Sequence, residues 1–299
     1  MAGLPKLSER RGSLSQTKTK PPPFWLWPNL LSLDAVLVAV VWEVLFAKCL
    51  RVPVDAVSVA VLGLCVWLVY VADRVFDGLG DGAAPDQSAR HRFYRRNRAR
   101  MVPWFALVLM VTAWLSFRRL NPAILRNGFW LAAAVTLYFA MVHLAPGKFQ
   151  THWPKELTVA ALFAWGVSIP TWAALEPHRA QLFIAPFGLL IAIFWINATG
   201  IECWERAHQR AARRTMKPGI TRILALYLGP AAMLIGSVTA YMLLRGSTPP
   251  SVKPMYAAIG LSAFALAALE SRSDRIGANQ LRVLADAALL TPILFLLFM

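Results

Sequence analysis

Apolar residues run along this chain in long blocks, separated by short segments in which arginine and lysine collect. The blocks carry neither the alternation of a half-buried strand nor the single apolar stripe of a helix on a water-facing surface. A helix needs roughly 20 apolar residues to cross a bilayer core. Read that way, the pattern predicts nine membrane spans, at roughly 29–50, 55–77, 101–118, 127–145, 157–175, 180–201, 220–244, 254–270 and 281–299. The implied fold class is an all-α membrane protein, with one transmembrane domain over 29–299 and a disordered basic tail over 1–28. That tail holds Lys6, Arg10, Arg11, Lys18 and Lys20 ahead of Pro21, Pro22 and Pro23, and it lacks the apolar core of a signal sequence.

Composition agrees with the pattern. Hydrophobic residues make up 58% of the 299 positions, where soluble domains sit near about 45–50%. Charge then adds a direction. If the N-terminus faces the cytoplasm, 23 of the 31 lysines and arginines fall in the tail or in cytoplasmic connections. Positive residues are retained on that side, so the predicted topology is N-terminus inside and C-terminus outside. This asymmetry accounts for much of the net charge of +16 without any nucleic-acid partner. Trp25, Trp27, Trp104, Trp153 and Trp172 lie near span ends, where an amphipathic ring anchors at the headgroups. Cys49, Cys65 and Cys203 are scattered and show no metal or disulfide spacing. Nothing in the sequence fixes an oligomeric state.

Two acidic segments carry candidate chemistry, and both close an even-numbered span. Asp73 and Asp77 are four apart, so on a helix their carboxylates share one face and offer hard oxygen ligands to Mg²⁺. At the end of the sixth span, Asn197, Ile201 and Glu205 share a face, with Glu202 beside it. The competing reading is a pair of solvated helix ends, with Asp73 paired to Arg74 or to loop arginines. Facing each other across a bundle, the two ends would form acidic walls around metal ions. Elsewhere, Asp34 and Glu43 fall in the first span, and Asp286 follows Arg282 by one helical turn in the ninth. An Arg282–Asp286 pair or a polar contact between helices is the simplest expectation there, and Asp34 is placed to line a cavity. Pro170, Pro186, Pro230 and Pro292 are expected to kink or end helices.

The layout resembles the UbiA superfamily of intramembrane prenyltransferases. Ala72-Asp73-Arg74-Val75-Phe76-Asp77-Gly78 is close to that family's N-x-x-x-D-x-x-x-D motif, with Val69 in place of the leading asparagine. A second likeness is Lys148 with Pro154 ahead of the fifth span, followed by Gly166, Ile169 and Pro170. The family's second motif is built from aspartates. Here Asn197, Glu202 and Glu205 stand in its place. The resemblance implies a nine-helix bundle around a central cavity in the bacterial cytoplasmic membrane. It implies a Mg²⁺-dependent transfer of a prenyl group from a prenyl diphosphate to a lipophilic acceptor, often aromatic. On that pattern Asp73 and Asp77 are catalytic and hold Mg²⁺, Asn197, Glu202 and Glu205 hold a second ion, and Arg74 and Lys148 grip the diphosphate. Two alternatives remain open at this level. One is a relative that binds an isoprenoid lipid without turnover, and the other a relative that cyclises the prenyl diphosphate.

Overall fold

The structure, a computed structural model, describes residues 23–77, 89–144, 154–208 and 220–299. These form twelve α-helices and no strand among the described residues. In chain order they are α1 (Trp27–Leu30), α2 (Leu33–Leu50), α3 (Ala56–Asp77), α4 (Ala89–Arg119), α5 (Pro122–Leu144) and α6 (Lys155–Ala174). There follow α7 (Ala180–His208), α8 (Ile220–Leu226), α9 (Leu228–Leu244), α10 (Lys253–Glu270), α11 (Ala278–Ala288) and α12 (Pro292–Leu296). Seven segments are long and apolar enough to cross a membrane, and an eighth is gained if Phe24–Leu30 and Leu33–Leu50 count as one bent span. The chain is therefore an all-helical protein with the helices of an integral membrane protein.

Helix lies at each of the nine predicted positions, but not always as one uninterrupted span. The first is bent by 72° where Ser32 adopts a left-handed backbone, with φ of 57°. The seventh is broken at Tyr227, so α9 keeps 17 residues. Pro230 supplies the reason: it has no N–H for the Leu226 carbonyl, and its ring crowds that oxygen. Pro292 separates α11 from α12 in the same way, offering no N–H to the Ala288 carbonyl, and the indole N–H of Trp42 donates to the neighbouring Leu289 carbonyl at 2.9 Å. Pro170 and Pro186, by contrast, sit inside the continuous helices α6 and α7. The third span is longer than predicted, because the arginine-rich segment before it is helical from Ala89. Arginine and alanine are strong helix formers, so charge alone does not end the helix.

Packing centres on α2, which touches α3, α6, α10, α11 and α12, and on α7, which touches α6, α8, α9, α10 and α11. Between these two helices lies an aromatic cluster. Trp42 and Phe46 have ring centroids 5.8 Å apart, and Phe183 lies 5.0 Å from Phe46. Tilted and edge-on rings at such spacings add to the dispersion contacts that hold helices together where lipid removes the hydrophobic drive. By contrast α4 and α5 bury almost nothing inside the protein, and Trp104, Trp114, Phe117, Phe129 and Trp130 stand exposed on them. Apolar side chains at such positions suit lipid contact.

Candidate functional site

Polar groups from many helices gather at one end of the bundle. Successive spans run in opposite directions, so the C-terminal ends of α3, α7 and α10 meet the N-terminal ends of α2, α4, α6, α8 and α11. The contacts follow this order. Trp67 of α3 donates to the Leu31 carbonyl beside α2 at 3.1 Å, and the Ser32 and Tyr94 hydroxyls lie 3.5 Å apart. The Lys155 ammonium lies 3.6 Å from Glu202 and 3.7 Å from Glu156, and Thr221 donates to Glu156 at 3.1 Å. Trp204 donates its indole N–H to Glu270 at 2.5 Å.

Each acid of the second predicted motif has a protein partner. Glu202 accepts from Arg206, one turn further along α7, and its other neighbour is Lys155. Glu205 is held by Arg282 of α11, whose side chain is only 13% exposed. Asn197 turns instead to Asp286, its amide nitrogen 3.4 Å from Oδ1. The expected Arg282–Asp286 ion pair is therefore not made. Arg282 reaches across to α7, and Asp286 faces Asn29, whose amide donates to it at 3.2 Å and to Asp34 at 2.5 Å. The result is a chain of polar contacts running from α8 and α6 across α7 to α11 and α1.

The first motif lies on α3, at this same end. Asp73 is half-buried beside Arg74, whose guanidinium lies 3.3 Å from it and is itself nearly buried. Asp77 is the last residue of α3, and its side chain falls outside the described residues, as does all of Lys148. Among the described residues α3 packs against α2, α4 and α6, while α7 lies beyond α6. Asp73 therefore shares an end of the bundle with Glu202 and Glu205 but makes no bond to either.

Magnesium fits these sets unequally. Glu202 and Glu205 already have their charge answered by Arg206, Lys155 and Arg282, so an ion there would first displace cations of the protein. Among the described residues no three His, Cys, Asp or Glu side chains come together in a way that would hold a metal ion. Asp73 is likewise paired, with Arg74, but its side chain is 36% exposed and so is more open to an added ligand than that of Glu202 or Glu205. Sequence reasoning missed Asn29, Lys155, Glu156 and Glu270. Only the position of each at a span end hinted at a role, since each also has a partner far away in the chain: Asp286, Glu202, Thr221 and Trp204 respectively.

Fold and site together define an all-helical protein with several helices of membrane-spanning length, whose ion-paired acids and amides gather at one end of the bundle. No family model matches the chain, and neither a curated protein nor a solved structure matches it.

Proposed function

We propose that the chain is a membrane-embedded prenyltransferase of the UbiA kind, using Mg²⁺ to move a prenyl group from a prenyl diphosphate to a lipophilic acceptor. The observation that carries this reading is the position of Asp73 and Arg74. An accessible carboxylate and a nearly buried guanidinium stand together on α3, at the end where the bundle's polar groups collect. In this reading Asp73 and Asp77 hold Mg²⁺, and Arg74 and Lys148 take the diphosphate. Neutralising the diphosphate would make it a better leaving group and favour an allylic cation. The apolar helices would take the isoprenoid tail and keep water from the cation.

The reading includes nine crossings, with the bent first helix and α8–α9 each completing one. It also includes a cavity between the two acidic walls and a bacterial cytoplasmic membrane, with the N-terminus inside. A second reading has its own support. The internal ion pairs of Glu202 and Glu205 favour a relative that binds an isoprenoid lipid and does not turn it over.

Incubating membranes that contain the protein with labelled prenyl diphosphates of several chain lengths distinguishes these. Prenyltransfer yields Mg²⁺-dependent incorporation of label into a second lipid. Cyclisation yields labelled hydrocarbon with no acceptor. Saturable binding without consumption is the outcome of the non-catalytic reading, and it would defeat the first.

A further inference from the structure

We propose that Asp34 and Asp286, with Asn29 and Asn197, form a site for one divalent cation of the magnesium type, inside the polar end and distinct from Asp73 and Asp77. The four residues come from α1, α2, α7 and α11, so no sequence motif joins them. Both carboxylates converge on one amide, with Asp34 Oδ2 at 2.5 Å and Asp286 Oδ2 at 3.2 Å from the Asn29 nitrogen. Two carboxylates this close repel unless something positive lies between or beside them.

No cationic side chain is paired with either of them: among the described residues neither Asp34 nor Asp286 makes an ion pair with lysine or arginine. The nearest candidate, Arg282 one turn away on α11, is engaged by Glu205. With both carboxylates ionised, a divalent ion would balance the charge gathered there.

A separate observation points to an oxygen-seeking ligand. Asn197 is only 8% exposed, and its amide lies against Asp286. Yet its Oδ1 accepts no hydrogen bond among the described residues. A buried carbonyl oxygen without a donor is costly, and a half-turn of the amide would exchange it with the nitrogen that now meets Asp286. Carboxylate and carboxamide oxygens are the donors that hard cations take, with water completing the shell. Asp34 and Asp286 are each only half-buried, which leaves the ion a way in. The site stands apart from the prenyltransferase reading, because the ion is read out in the protein alone.

The test uses the full-length protein purified in detergent, with no diphosphate present and Mn²⁺ as the probe. Electron paramagnetic resonance of free Mn²⁺ gives the number bound, and Mg²⁺ is added as competitor. The expected result is that Asp34→Asn with Asp286→Asn removes one bound Mn²⁺ per chain, while Asp73→Asn with Asp77→Asn leaves that ion in place. Asn197→Asp adds a third carboxylate and is expected to tighten binding by about tenfold, as ligand charge does at oxygen sites. It reads the site with both native acids present, should the double variant fail to fold. Three results would each overturn the site. These are an unaltered protein that holds no Mn²⁺ displaced by Mg²⁺, a folded double variant that holds as many ions as the parent, and an affinity left unchanged by Asn197→Asp, as a carboxyl pair that merely shares a proton would give.

Discussion

Asp55 sits at the entry to α3 and binds Ser58 twice, accepting from its backbone N–H at 2.8 Å and from its hydroxyl at 2.7 Å. These bonds favour the ionised carboxylate and hold its pKa below the ordinary 3.8. Folding therefore gains from this group above the unfolded-chain value, and the gain fades as pH falls through the lower folded value. Asp55→Ala is expected to cost about 1 kcal/mol at neutral pH, the usual worth of a helix cap. Thermal unfolding in detergent should show the gap to the parent closing only below about pH 4. Glu43 presents the opposite setting. It is fully buried on α2, with one oxygen accepting from Thr171 at 2.9 Å and the other without a donor among the described residues. Thr171→Val strands the carboxyl and is expected to cost about 1–3 kcal/mol. Adding Glu43→Leu should recover most of that loss, a coupling that a double-mutant cycle in thermal stability would measure. An acid within a span was visible in the sequence. Its partner was not, because Thr171 lies 128 positions away and only packing brings them together.

At the scale of elements, the closest approach is between α9 and α10. A Cβ on Gly236 would lie 2.5 Å from the Phe264 ring, and one on Gly260 would lie 2.5 Å from the Thr239 hydroxyl. Thr239 is fully buried and donates to the Gly236 carbonyl at 2.8 Å, so it cannot yield without losing that bond. Gly260→Ala is accordingly expected to lower stability by about 1–3 kcal/mol, read as a reduced melting temperature in detergent. An exposed control, Gly246→Ala, meets nothing within 4 Å and should change little. Helix positions were legible because apolar length is a local property. The breaks were legible only where proline marks them, at Pro230 and Pro292. The bend at Ser32 carries no such mark, since nothing in Leu30-Leu31-Ser32-Leu33 demands a left-handed residue. Extension of α4 back to Ala89 was missed because a run of charge was taken as the end of a span. In fact a helix continues through arginines that can reach water.

Across the whole molecule, the run of charge and the alternation of spans predicted that the even-numbered spans end on one side, and the contacts of the polar end follow that plan. What the sequence left open was the pairing within it. Glu202 and Glu205 were read as metal ligands from their place after the sixth span, yet Lys155, Arg206 and Arg282 answer them. Such choices depend on which helices become neighbours, information spread over 299 residues and held in no single motif. The most direct measurement is release of inorganic diphosphate from a prenyl diphosphate by the purified protein with Mg²⁺. Release is expected from the parent chain, with at least about a hundredfold loss in Asp73→Asn plus Asp77→Asn, the scale on which removing charge stabilisation slows such a step. Release that is absent from the parent at every chain length, or that persists unchanged in the variant, would contradict it.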